Sequence, residues 1–255
     1  SMSILAPYQW LSEHVDDPDL VIIDTRPRTA YMYGHIKNSI SIQIDQLIRI
    51  NEYGAHLAPN PDDASKLLGS LGIDNSKTVI VTGEQMDPSV ARIAWTLFYL
   101  GHENTKILDT SIATWQSLGL GLVRPQKKLT PTEFIPKIQN SLRIKADELR
   151  DIMDNVMILD ARSPQEYFAG HIPKSVLLPF TDGLGQNGFI FDSKESLESA
   201  FQQKQIPSDK ELICYCTHGH RASSLFLQLQ IAGYDKVRLY DGSFIDWNSK
   251  RLRLE

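Results

Sequence analysis

The stretch Leu212-Ile213-Cys214-Tyr215-Cys216-Thr217-His218-Gly219-His220-Arg221-Ala222 decides how the rest of the chain is read. It opens as a short apolar run of strand type and continues as a loop led by Cys216. Beyond it Leu225, Leu229 and Ala232 recur at helical spacing, with Phe226 and Leu227 widening the apolar side. A helix is therefore predicted over 222–231. A loop between a strand end and a helix start can turn its N–H groups inward around a small anion, and the helix mouth adds partial positive charge. A thiolate is such an anion, so the arrangement favours the ionised, nucleophilic form of Cys216. Arg221, and His218 or His220 when protonated, would add positive charge. A cysteine after a strand is as often inert core, and this segment alone leaves that reading open.

Composition narrows the function classes. The 255 residues are enough for one large domain or two of ordinary size. With 42% hydrophobic and 22% charged residues, the chain can build a real core. A formal net charge of −5 argues against a broad basic surface, so no nucleic-acid partner is expected. No apolar run reaches the ~20 residues that span a bilayer. The N-terminus lacks a basic-then-apolar signal pattern, so no membrane partner and a cytoplasmic location are expected. Ser1-Met2 reads as a cloning remnant. The only cysteines are Cys214 and Cys216, too few and too close for a disulfide scaffold. Cys214 is read as core and Cys216 as the reactive thiol. A metal held by Cys216 with His218 and His220 would occupy the nucleophile, so no metal is expected, and no cofactor either.

Outward from the loop, the chain repeats itself. Leu20-Val21-Ile22-Ile23-Asp24-Thr25-Arg26, followed by Gly34-His35-Ile36, returns as Val156-Met157-Ile158-Leu159-Asp160-Ala161-Arg162, followed by Gly170-His171-Ile172. The same offset separates Asp24 from Asp160 and His35 from His171. Val79-Ile80-Val81 matches Leu212-Ile213-Cys214, and Leu108-Asp109 with Trp115 matches Tyr240-Asp241 with Trp247. A repeat this long marks a duplicated domain rather than a solenoid. In each half, short β-rich runs alternate with helical patterns over 62–71, 88–100, 193–204 and 222–231. That alternation predicts a parallel sheet with helices on both faces.

These residues resemble the rhodaneses, and the whole set resembles the two-domain thiosulfate and 3-mercaptopyruvate sulfurtransferases. Cys216, four residues, then Arg221 at a helix start looks like the rhodanese active loop; the related phosphatases carry a loop one residue longer. Trp95–His102, His56-Leu57-Ala58-Pro59 and Leu239-Tyr240-Asp241-Gly242-Ser243 look like landmarks of the tandem family. The resemblance implies two tandem rhodanese-like α/β domains, each with a mainly parallel sheet and helices on both faces. An N-terminal domain without the cysteine is expected over 3–121, a linker over 122–142 and a catalytic domain over 143–255. In the first half Gly83 or a neighbour stands where Cys216 stands, and Thr82-Gly83-Glu84-Gln85-Met86-Asp87 has no thiol, so that half cannot form a persulfide.

The expected activity is transfer of a sulfane sulfur from a small anionic donor, thiosulfate or 3-mercaptopyruvate, to cyanide or a thiol, including a protein thiol. Cys216 is the candidate nucleophile. Thr217, His218, Gly219, His220 and Arg221 are the candidate substrate-binding residues. Asp160, Arg162, Asp241 and Ser243 are candidate supports, although an internal ion pair is the favoured reading of Asp160 and Arg162. His171 is read as packing at its turn, because its repeat mate His35 lies in the half without a cysteine. Cys216-Thr217-His218-Gly219 matches neither the mercaptopyruvate loop type, Cys-Gly-Ser-Gly, nor the thiosulfate type, Cys-Arg-Lys-Gly. It is closer to single-domain thiosulfate rhodaneses. Where the family often carries a donor-clamping arginine, this chain has Glu166. The favoured donor is thiosulfate or a persulfide, with 3-mercaptopyruvate next. A sulfur-carrier or protein-binding module without turnover is the alternative, and a phosphatase or arsenate reductase stands third.

Overall fold

The computed structural model describes residues 3–255, so Ser1-Met2 lies outside the described residues. The strands are β1 (Leu5–Ala6), β2 (Leu20–Asp24), β3 (Ser39–Ser41), β4 (Arg49–Ile50), β5 (His56–Leu57), β6 (Thr78–Thr82), β7 (Thr105–Leu108), β8 (Val156–Asp160), β9 (Val176–Leu177), β10 (Glu211–Tyr215) and β11 (Val237–Leu239). The chain divides into two compact units. Among the described residues, one comprises 3–48, Pro59–Ile138 and Gly185–Ile190; the other comprises Arg49–Ala58, Gln139–Leu184 and Phe191–Glu255.

The first unit holds a five-stranded sheet in the order β1-β7-β6-β2-β3, parallel throughout. β2 and β6 are central, and their apolar runs are buried on both faces, as strands between helical layers must be. The helices Pro61–Ser70 and Ser89–Tyr99 fall within a residue or two of the predicted spans. Asn60 caps the first of them, accepting N–H bonds from Asp62 and Asp63.

The residues after 118 carry little regular structure, and as far as Ile138 they are strapped to the first unit. Val123 exchanges backbone hydrogen bonds with His35, Thr132 N donates to Gly69 O and Lys137 N to Leu100 O. Phe134 is fully buried there. Those bonds satisfy backbone groups that an extended strand lying on protein would otherwise leave unpaired.

The second unit repeats the plan with a four-stranded sheet, β11-β10-β8-β9, again parallel. The fifth position, held by β1 in the other unit, is reduced to a single parallel bridge of Arg143 with Leu239. Its helices include Ala146–Ile152, Pro164–Ala169, Lys194–Gln203, His220–Ile231 and Ser243–Ser249. Helix His220–Ile231 starts two residues earlier than its apolar pattern, because Gly219 in the left-handed region (φ 84°) turns the chain into it. The short antiparallel pair β4–β5 belongs to this unit although it lies in the N-terminal half of the chain. The unit is therefore built from separate segments, whereas the sequence pattern suggested continuous ones.

Candidate active site

The site is built where β10 ends. Tyr215 is the last strand residue and Cys216 the first of the loop, and both are buried. Gly219 occupies the N-cap position of helix His220–Ile231 and offers no side chain to cap it. The sulfur of Cys216 fills that role. Gly219 N donates to Sγ at 3.1 Å, and Ala222 N, in the helix's first turn, donates at 3.3 Å. The first N–H groups of a helix have no partner within it. Here an electron-rich sulfur takes two N–H bonds at the positive end of the helix dipole. The neighbouring Cys214 has no such surroundings: it is buried in the strand, and burial pushes its thiol far above the usual range.

The main chain at Cys216 is held from behind. Cys216 N donates to Ser243 Oγ at 3.1 Å, and Ser243 Oγ donates onward to Tyr240 O at 2.8 Å. Phe244 N donates to Cys216 O, and Ile245 N to Thr217 O. Ser243 is thus a positioning residue for the loop and touches only its backbone. Asp241 lies further off, accepting Arg143 Nε at 2.9 Å and Ala58 N at 2.8 Å. It fastens the end of the β4–β5 segment.

Asp160 and Arg162 form a buried ion pair. Arg162 Nε lies 3.0 and 3.1 Å from the two carboxylate oxygens, Nη2 lies 2.8 Å from Oδ2, and Nη2 also donates to Gly170 O at 2.7 Å. Tyr215 Oη donates to Asp160 Oδ2 at 2.8 Å. The arginine's part of this set recurs in the unit without a cysteine, where Arg26 Nη2 lies 2.8 Å from Asp24 Oδ2 and 2.6 Å from Gly34 O; Thr82, at the strand end matching Tyr215, donates instead to Ile23 O. A constellation present in both units serves the fold of each. His171 and His35 likewise each stack on a tyrosine four residues earlier, and each Nδ1 lies 2.9 Å from that tyrosine's carbonyl.

The loop's other side chains meet partners that the sequence did not announce. Arg221 was expected to face an anionic substrate. It is instead engaged by Glu166, with Nη1 2.7 Å from Oε1 and Nη2 3.0 Å from Oε2. Thr217 Oγ1 accepts from Arg221 Nη2 at 3.0 Å and lies 3.3 Å from Glu166 Oε2. The Arg221 guanidinium holds the Glu166 carboxyl down to about 2, from an ordinary 4.5. His220 Nε2 lies 2.8 Å from Nδ1 of His56, and the rings of His56 and His218 are 4.5 Å apart. Burial pushes His218 below its usual range. His56, delivered by β5, joins the loop from 164 positions away in sequence. Its only sequence signal was the His-Leu-Ala-Pro landmark, which says nothing about where the ring goes.

In the first unit the corresponding position is Gly83, and its carbonyl accepts Ile112 N as that of Cys216 accepts Phe244 N. A Cβ there would stand 2.3 Å from Thr25 Oγ1 and 2.6 Å from Val90 Cγ2. The place of the thiol is filled by neighbouring side chains.

A doubled α/β unit with a cysteine sulfur at the mouth of a helix defines a class of protein. The model of the rhodanese-like domain matches the chain twice, over residues 7–118 and 145–250, and the chain belongs to that family. Among its relatives, a 3-mercaptopyruvate sulfurtransferase of Escherichia coli (strain K12) is 28% identical over 264 residues, covering 94% of this chain and 93% of its own. The sulfur carrier protein TtuD of Thermus thermophilus is 26% identical over 277 residues, covering 96% of this chain and 94% of its own. The crystal structure of SseA from Escherichia coli, presented as a 3-mercaptopyruvate sulfotransferase of rhodanese fold, matches with a TM-score of 0.86 at 26% identity. That match covers 95% of this chain and 99% of that one.

Proposed function

We propose that the chain is a sulfurtransferase that carries a sulfane sulfur on Cys216. The observation that carries the reading is the pair of N–H bonds from Gly219 and Ala222 onto Cys216 Sγ at the helix mouth. The thiolate attacks the outer sulfur of a donor such as thiosulfate. The donor's S–S bond breaks, sulfite leaves with the bonding pair, and Cys216 holds a persulfide. Cyanide or a thiolate then attacks the outer sulfur. With cyanide, thiocyanate leaves and the Cys216 thiolate is restored. Between the two steps the negative charge rests on sulfur, and donors already aligned at the helix mouth stabilise it without reorganisation. Full-length relatives named as sulfurtransferases support this reaction class.

The favoured donor is thiosulfate or a persulfide, with 3-mercaptopyruvate, from which pyruvate would leave, next. The acceptor is a small thiophile or a protein thiol. A relative named as a sulfur carrier favours, as second reading, a protein that accepts sulfur and hands it to a partner without independent turnover. No helix among the described residues is long and apolar enough to cross a membrane. Both cysteines are free thiols, the state that a reducing compartment such as the cytoplasm maintains.

Intact-mass measurement after incubation with thiosulfate tests the covalent step. A gain of about one sulfur atom, absent in Cys216→Ser, is expected. No gain with thiosulfate, 3-mercaptopyruvate or a persulfide, on protein whose thiols titrate as reduced, would refute the reading.

A further inference from the structure

We propose that Glu166 sets the charge preference of the Cys216 loop: by filling the guanidinium fork of Arg221 it disfavours sulfur donors that carry a carboxylate or sulfonate and favours persulfides whose remote group is uncharged or an amine. The inference rests on the reading of Cys216 as the reactive thiol and names the donor class for that site.

Both Arg221 Nη atoms are bound to Glu166, one to each carboxylate oxygen. This two-point geometry is the one by which an arginine would hold the carboxylate or sulfonate of a donor. An incoming anion must therefore displace an internal one. Glu166 is also held from its own side. Ser163 N and Oγ donate to Oε1 at 3.2 and 3.0 Å, and Ser163 Oγ in turn accepts Glu166 N, a capping box at the start of helix Pro164–Ala169. The partly exposed Glu166 and Arg221 side chains lie beside Thr217, the residue after the thiol.

The other fixed charges near the loop cancel as well. Arg162 is paired with Asp160, and Arg143 with Asp241. The close His56–His220 contact needs a lone pair on one ring, so the two are not both cationic while it lasts. With Glu166 ionised above about pH 2, the exclusion holds across the working range.

The test compares alkylation of Cys216 by iodoacetate, an anion, with alkylation by neutral iodoacetamide, resolved by peptide mass so that Cys214 is scored separately. Glu166→Gln keeps a capping-box side chain while removing the charge. The iodoacetate-to-iodoacetamide rate ratio is expected to rise about ten-fold in E166Q, the effect of one unit charge several ångströms from the reagent in a partly solvated site. In sulfur transfer, kcat/KM should rise for thiosulfate and fall for cysteamine persulfide.

A second measurement needs no variant: in the unaltered protein kcat/KM should be lower for the persulfide of 3-mercaptopropionate than for that of cysteamine, which differ in the charge of the remote group. An unchanged or lowered ratio in folded E166Q, or a kcat/KM for 3-mercaptopropionate persulfide equal to or above that for cysteamine persulfide, would overturn the proposal. Absence of turnover with every sulfur donor, alongside a shifted alkylation ratio, would overturn the transferase reading and leave the charge gate standing.

Discussion

Replacing Tyr215 with phenylalanine separates fold from chemistry beside the thiol. The hydroxyl is buried and has three partners: it donates to Asp160 Oδ2 at 2.8 Å, accepts Ile172 N at 3.1 Å, and lies 2.9 Å from Ser175 Oγ. Tyr215→Phe keeps the ring that packs near the Arg162 guanidinium but removes every one of these bonds. Losing a hydrogen bond to a charged acceptor costs about 1.5–3 kcal/mol, and an orphaned buried N–H costs about 1–3 kcal/mol. Asp160 retains Arg162 and Ser175 can reorient, so the net loss is set at about 3 kcal/mol. For a unit of this size that lowers the thermal midpoint by roughly 10 °C. Calorimetry of the reduced protein reads the shift. Sulfur loading per folded molecule, followed by intact mass at 20 °C, should stay within about two-fold of the unaltered chain, because the hydroxyl touches none of the groups around Sγ. A ten-fold slower loading with an unmoved midpoint would refute the reasoning and place the Asp160–Arg162–Tyr215 network in the chemistry.

Three further outcomes follow from the same geometry. Glu166 is depressed in the folded state, so the stability it adds is fully present above its unfolded value near 4.5 and is lost as pH falls through about 2. Discounted for its partial exposure, the difference between the unaltered chain and E166Q should be about 1 kcal/mol at pH 6 and shrink as pH falls from about 4.5 through about 2, read by urea titration; a difference that grows on acidification would contradict it. Gly83→Cys should take up no second sulfur by intact mass and should destabilise the first unit by about 1–3 kcal/mol, because the new Cβ collides with Thr25 and Val90. Ser243→Ala leaves Cys216 N without its acceptor and should cost about 1–3 kcal/mol, with slower sulfur loading as the loop loosens; an unchanged melting curve and loading rate would show that Ser243 positions nothing.

Much of this molecule was legible as a string of residues. The duplication was visible because Asp24–Arg26 and Asp160–Arg162 close apolar strands at a constant offset, and a strand buried on both faces leaves a continuous apolar run that needs no tertiary information to read. Cys216 stood out for a similarly local reason: strand, loop and helix start are consecutive, so the amides that reach its sulfur come from residues three and six positions on. Even the silence of the first half could be read, since Gly83 carries no thiol. What a sequence does not contain is the pairing of distant side chains. Glu166 looked like a lost arginine, and Arg221 like a free cation, until the fold set them 2.7 Å apart and cancelled both charges. His56 reached the loop only because residues 49–58 fold with the second unit, a choice made by packing across 164 positions. Local spacing determines which groups one turn of backbone can present to a sulfur. Which charges surround that sulfur is decided by loop closures whose ends carry no shared pattern, and only the folded chain records them.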